Sequence, residues 1–443
     1  MCFSTLIVKK ISTKVRLSVA CASILIFLSC SPSSPNPTII TPITPITPIT
    51  PSTAAGVPSS KEVLIQPFDL ETSLSVKKLM LEYVAQIDSD FTDLRAELAS
   101  LQQNIESLLE SPSLRTLADG QKSWASAHQS YHQSNLHLYF TTLISRENQS
   151  DQLYRMAYQM DYWPIIAGYV DSVAGYEAGG IVHDVNVELS PESLKRQHGL
   201  FDVTEATLGF HVIEFLLWGE PNVNTAPRGF EDFVPVNELT NIQRESGMEI
   251  SQIGNNRRRE LLRLISAILL EDFNSSFAIW EDASNSFLKT AQDRSSATLL
   301  NLLLESSTAM LTEELLVRSL YPLLNGDYES GLQSPFSQTS EITVAAQLQS
   351  VERLLLETPT SNGVTLDKVL SSVSPAFEEF FYQNLDSSKA CLILLYSSFG
   401  QANSYLEDST LEFEVVECIN LLTNLIDQLE QIKLTLPVMT KPV

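Results

Sequence analysis

Along most of the chain, apolar residues recur at helical spacing, interrupted by short stretches rich in polar residues, glycine or proline. Residues 73–109 carry Val76, Leu79, Met80, Tyr83, Val84, Ile87, Phe91, Leu94, Leu98, Leu101, Ile105 and Leu108. That three-and-four repeat predicts one long amphipathic helix. A second such stretch covers 113–143, and both exceed ordinary globular helix length, as long bundle helices do. The same pattern predicts helices at 202–218, 257–292, 295–323, 342–357, 374–385, 387–403 and 411–434. Between them, 167–199 holds Gly168, Gly175, Gly179, Gly180 and Gly199 among mixed polar residues. It reads as a long irregular excursion, and long loops often carry function. Pro221, Pro227 and Pro235 punctuate the best place for a domain boundary. No stretch shows the alternation that would require a sheet.

One predicted helix departs from the amphipathic pattern. In the run GFHVIEFLLWGE, residues 209–220, His211 and Glu214 sit among Phe210, Val212, Ile213, Phe215, Leu216, Leu217 and Trp218. A helix apolar on all faces is buried, and residues three apart share one side. The two polar groups are therefore expected to be removed from water, where each needs a partner. Three solutions are open: hydrogen bonds elsewhere in the core, a bound metal, or the lining of a closed cleft. His128, His132 and His137 form a second concentration of histidines. His128 and His132 are four apart and share a face, a workable two-ligand spacing, while His137 points elsewhere. The alternative for that set is polar surface histidines on an amphipathic helix. His-Glu-x-x-His is absent, so the chain is not an ordinary zinc protease, and Gly-x-Ser-x-Gly and phosphate-binding glycine loops are absent too.

The first 29 residues read as a targeting segment. Lys9, Lys10, Lys14 and Arg16 precede an apolar run, Leu17–Phe27, too short for a stable span. It ends in Phe27-Leu28-Ser29-Cys30, which resembles a bacterial lipobox with Cys30 as the lipidated residue. Residues 30–60 follow as a spacer with a repeated Ile-Thr-Pro; proline every third residue forbids helix and favours extended polyproline II. Losing the four basic residues carries the formal charge from −25 to −29. That excludes a nucleic-acid binder driven by phosphate contacts. Cys391 and Cys418 remain to the body. They either pair, as an oxidising compartment permits, or sit as small buried hydrophobes.

The run GFHVIEFLLWG resembles the Gly-x-His-x-x-Glu signature of the imelysin family. The segment from Tyr83 to Tyr131 is similar to that family's opening helix pair, MDYWPI (160–165) to its Trp-Pro segment, and SPFSQTSEI (334–342) to its Phe-Ser-Asp segment. RRRELLRLISAILLEDFNSSFAIW follows the signature as expected, and NGVTLDKVLSSVSPAF matches a late region in outline. The resemblance covers essentially all of 61–443. It implies an all-α fold of two helical-bundle domains, 61–236 and 237–443, with the motif near their interface. It also implies an envelope protein, often a lipoprotein, linked to iron acquisition. By this resemblance Gly209, His211 and Glu214 carry the motif, and Ser134 and Ser337 fall on family-like serines. His128 stands where arginine is usual, Asn135 where glutamate is usual and Gln338 where aspartate is usual, so the polar groups around the site are altered.

Three functions compete. The first is an envelope protein that binds a metal or an iron-bearing ligand in an interdomain cleft, with His211, Glu214 and His128 as metal ligands. The second is a metallopeptidase with Glu214 as ligand or general base. Its metal, iron or zinc, needs about three protein ligands and an open position; the third ligand would come from His128, His132 or a distant carboxylate. The third is a structural or host-contact lipoprotein whose buried pair only specifies packing. The expected partners are the membrane, through lipid on Cys30, and the metal or iron-bearing ligand. Cys30→Ala is expected to release the protein from membranes. Full retention of the variant in the detergent phase would refute the lipobox assignment.

Overall fold

The computed structural model describes residues 68–220, 227–357, 363–374, 377–401 and 411–436. The targeting segment, Cys30 and the proline-rich spacer lie outside the described residues. Asp69 starts α1 (Leu70–Glu110) by accepting a hydrogen bond from the Thr72 backbone N–H, which satisfies one donor left over at a helix start. A reciprocal Ser113–Thr116 pair opens α2 (Leu114–Gln133) three residues after α1 ends. So short a connection forces an antiparallel hairpin. The 41 residues of α1 extend about 60 Å at 1.5 Å per residue, and the 38 residues of α9 (Gly254–Ala291) lie against them.

The single helix expected over 113–143 is broken. Ser134 ends α2 with its N–H on the Ser130 and Tyr131 carbonyls, and α3 (Asn135–Ile144) begins directly after it. Its hydroxyl also bonds the Ser130 carbonyl. Ser, like Asn, offers the backbone such local alternatives to a continuous helix, and apolar periodicity does not register them. Next comes α4 (Glu147–Met160), unforeseen in the sequence pattern, and then short helices α5 (Ala167–Val170) and α6 (Pro191–Gln197) within the expected excursion. That excursion is stapled rather than loose. Arg257 donates to the carbonyls of Ile181, Val182, Asp184 and Val187. Buried Asp171 pairs with both Arg228 and Arg258. The motif helix α7 (Phe210–Trp218) follows, then α8 (Asn241–Glu245) and α9.

After α9, α10 (Ser296–Met310) runs into a wider π-helical turn, Leu311–Leu320, and α11 (Tyr321–Leu324). Short α12 (Tyr328–Gly331) precedes α13 (Ser340–Leu356), which packs on α2, and α14 (Leu366–Val373). The two helices expected at 374–385 and 387–403 are one, α15 (Phe377–Gln401), paired with α16 (Leu411–Thr435). Asp386-Ser387 is simply carried through as polar positions of an amphipathic helix. No strand occurs among the described residues, so the all-α expectation holds. One continuous apolar core joins residues on both sides of position 236, from Val76 to Leu436. No helix among the described residues is long and apolar enough to cross a membrane.

Cys391 on α15 and Cys418 on α16 are joined in a disulfide, 27 residues apart in sequence. This resolves the two alternatives left by the sequence in favour of the bridge. Reducing it is expected to lower stability by about 3.5 kcal/mol in the chain-entropy account of a loop this long. Denaturant midpoints with and without reductant measure this, and two free thiols in protein isolated from cells under non-reducing conditions would refute the bridge.

Candidate metal centre

The motif helix is built to be surrounded. Phe210 to Leu217 are all buried, and two side chains of α2 fasten its backbone: Trp124 Nε1 donates to the Phe210 carbonyl and Gln121 Nε2 to the Leu217 carbonyl. The latter fills an acceptor that a helix end leaves open. Gly209 sits at the N-cap with φ of 97°, and a Cβ there would stand 2.6 Å from the Gln159 carbonyl oxygen. Both the left-handed backbone and the close approach of α4 therefore require glycine.

Close packing places the His211 ring against its partners. Its Nδ1 lies 2.9 Å from Glu214 Oε2 and its Nε2 lies 3.2 Å from Asp161 Oδ1. Asp161 is the C-cap of α4 and is 2% exposed. From α2, His128 Nε2 and His132 Nε2 approach the same Asp161 oxygen at 3.5 and 3.6 Å. Three imidazole nitrogens thus face one carboxylate oxygen in a place water does not reach. Trp124 stacks on His128 with ring centroids 4.5 Å apart, and Trp163 closes over His211 at 4.8 Å.

A further set of groups holds this cluster. Arg318, from the π-helical turn, donates to Asp161 Oδ2 at 3.2 Å, to the Asp161 carbonyl at 2.7 Å and to Glu314 Oε2 at 2.8 Å. Tyr139 donates to the other oxygen of Glu314. The second oxygen of Glu214 accepts from both the backbone N–H and the hydroxyl of Ser337, at 2.7 and 2.6 Å. Burial alone would raise the Asp161 carboxyl, but the facing His132 and Arg318 and the bonds from His128 and His211 outweigh it, so it is held well below the usual carboxylate range. Burial drives His128 below the ordinary histidine value and His132 far below it. Burial pushes His211 the same way, yet its bonds to Asp161 and Glu214 prevail and its value is raised. The surroundings thus favour the neutral imidazole at His128 and His132 and the protonated one at His211, which lies between two carboxylates.

Residues Gly209, His211, Glu214, His128 and Ser337, expected from sequence, are all brought together. Ser134 is not: it turns the chain between α2 and α3. His137 points away, as its spacing predicts, and bonds Asp90 Oδ2 at 2.7 Å and the Tyr83 hydroxyl at 3.1 Å. Asp161 and Arg318 were missed. For Asp161 the only sequence signal is one acidic residue directly before the apolar Tyr162-Trp163-Pro164-Ile165. For Arg318 there is none, because its aim depends on the π-helical turn.

Among the described residues, His128, Asp161 and His211 each offer one ligand atom, all within 4.8 Å of one another. Two imidazole nitrogens and a carboxylate oxygen are donors that divalent first-row metals accept. Glu214 bonds the far nitrogen of His211, as the carboxylates that orient metal-bound histidines do. The donor chemistry therefore fits a metal ion, and Glu214 faces His211 from the nitrogen on the other side of the ring.

The fold and site define an all-helical protein built around a buried cluster of histidines and one carboxylate. The family model for imelysin matches residues 87–429, and the chain belongs to that family. The crystal structure of an iron-regulated protein A precursor from Parabacteroides distasonis is similar in fold. It aligns with a TM-score of 0.54 at 14% identity, covering 84% of this chain and 96% of that one. No curated protein matches the sequence.

Gly209→Ala is expected to cost about 1–3 kcal/mol, the usual penalty of an L-residue forced into such backbone. Urea midpoints measure it; an unchanged midpoint would show that α4 and α7 yield without cost.

Proposed function

We propose that this protein is an envelope-anchored imelysin that captures a divalent transition metal at His128, Asp161 and His211, in the setting of iron acquisition. The convergence of three histidine Nε2 atoms on one buried Asp161 oxygen carries the reading. Arg318 engages the other carboxylate oxygen, Oδ2, so Oδ1 is left facing imidazole nitrogens alone, a donor set that divalent first-row metals accept. The iron-regulated relative makes iron(II) the first ion to test, with zinc beside it. The disulfide supports an oxidising compartment, and Cys30 would supply the lipid tether.

The peptidase reading is less well supported. A general base must reach the proton it abstracts, whereas Glu214 has one oxygen on His211 Nδ1 and the other on Ser337. It faces the rear of the imidazole, away from the ligand atom.

Metal content of His211→Ala is expected to fall to background with helicity retained. Glu214→Gln is expected to weaken binding about 10–100-fold, the usual effect of removing a carboxylate behind a metal-bound histidine. Equal metal content in wild type and both variants would overturn the assignment.

Metal binding is also expected to strengthen as pH rises. Asp161 and Glu214 raise His211 above its ordinary value, so at lower pH both ring nitrogens carry protons and the one on Nε2 must leave before the ion binds, while Nδ1–H stays on Glu214. The affinity should climb until the imidazole is neutral and then level off. Titrations in buffers of different ionisation enthalpy should show about one proton released per ion. No proton release would mean that His211 is not a ligand.

A further inference from the structure

A histidine that binds a metal through one ring nitrogen almost always donates from the other to a carboxylate, a carbonyl or a water. His211 has such a partner in Glu214, 2.9 Å from its Nδ1. His128 has none. Its Nε2 faces Asp161 and His132, while its Nδ1 has no hydrogen-bond partner among the described residues. The residue is 2% exposed, so an unpartnered polar atom sits on a buried ring. That ring forms part of the wall of a cavity of about 230 Å³ between α2 and the start of α13. From α2 the cavity also receives Lys122, Ser126 and Gln129, and from α13 Thr339 and Thr343. Lys122 is exposed and makes no ion pair among the described residues. No acidic side chain is part of the lining. The α13 end offers donors of its own. Thr339 stands at the N-cap of this 17-residue helix without capping it, because its hydroxyl pairs with Ser337 Oγ at 2.8 Å. The backbone N–H groups of Ser340, Glu341 and Ile342 therefore have no acceptor among the described residues. An uncapped helix start carries partial positive charge and favours anions.

We propose, resting on the metal-binding reading above, that this cavity is an oxyanion site coupled to the metal centre. A small carboxylate or tetrahedral oxyanion accepts from His128 Nδ1–H, from Lys122 and from the first turn of α13. It does for His128 what Glu214 does for His211. It holds the proton on Nδ1, leaves the lone pair of Nε2 facing Asp161, and makes the imidazole a stronger donor to the ion. The two partners differ in origin: Glu214 is built into the chain, whereas the anion is drawn from solution. Metal capture therefore depends on whether the anion is present. The dependence is reciprocal, so an anion that raises metal affinity has its own affinity raised by the metal, by the same factor.

Zinc titration and thermal unfolding of the metal-free full chain, in chloride, acetate and sulfate at equal ionic strength, test this. Zinc affinity of wild type is expected to be about 10-fold higher in acetate or sulfate than in chloride, the lower end of what a partner behind a metal-bound histidine contributes. Both oxyanions also bind free zinc, which works against such a gain. The larger gain names the class, planar carboxylate or tetrahedral oxyanion. Without metal, that anion is expected to raise the unfolding midpoint of wild type more than that of Lys122→Ala; the comparison removes the general stabilisation that excluded salts give. Lys122 is exposed, so the variant is expected to fold, and the gain in zinc affinity is expected to vanish in it. Equal zinc affinity in every salt overturns the coupled site, leaves water as the partner of His128 Nδ1, and leaves the metal-binding reading standing. Equal gains in wild type and Lys122→Ala also overturn it. If wild type takes up neither zinc nor iron(II) in any salt, the metal-binding reading falls and the coupling with it. The midpoints then decide the anion site alone, and equal shifts in wild type and Lys122→Ala overturn that too.

Discussion

A carboxylate buried at the meeting point of four structural elements sets the terms for the middle of this molecule. Asp161 cannot keep its charge in an apolar core without compensation, and every element around it contributes to that. The α2 helix brings two imidazoles, α7 brings a third, and the π-helical turn brings a guanidinium. The rings of Trp124, Phe210 and Trp163 pack against the imidazoles and close the arrangement off. Because each partner bonds further groups in turn, the cluster extends through Glu214 to Ser337 and through Arg318 to Glu314 and Tyr139. Residues from before and after position 236 are tied into one polar network.

That network explains the signature better than a list of ligands would. Gly209 is present because α4 crosses its backbone too closely for a side chain, and α4 is the helix that ends in Asp161. His211 is present because its two nitrogens must face opposite carboxylates. Glu214, one turn on, reaches the rear nitrogen and is itself held by Ser337. The three conspicuous letters of the motif are thus a spacing element, a ligand-type imidazole and its orienting partner. Only one of them points at the ion the site would hold.

Much of the architecture was legible in the sequence because the helices are long and their apolar faces are regular. The burial of His211 and Glu214 was legible because nothing in 210–218 could face water. What escaped was decided by geometry without a local signature. Asp161 looks like any acidic residue at a helix end, and only the fold brings it to His211, 50 residues on. The break at Ser134 hid in an unbroken apolar rhythm, although it is what sends His137 to Asp90 and leaves His132 at the centre. Arg318 lies in a stretch whose pattern reads as ordinary α-helix.

The π-helical stretch Leu311–Leu320 has an implication for how such a chain can change over time. A widened turn behaves like one residue inserted into a regular helix, and such turns recur at functional sites. Each residue of an α-helix is rotated by roughly 100° from the last. Excising one residue upstream of Arg318 would restore a regular, intrinsically more favourable helix. It would also swing the guanidinium off Asp161 by a quarter turn. A shorter lineage of this segment would therefore gain helical regularity and lose the cation that neutralises the centre. The length of 311–320 is held by the needs of a carboxylate on another helix rather than by its own conformational preference.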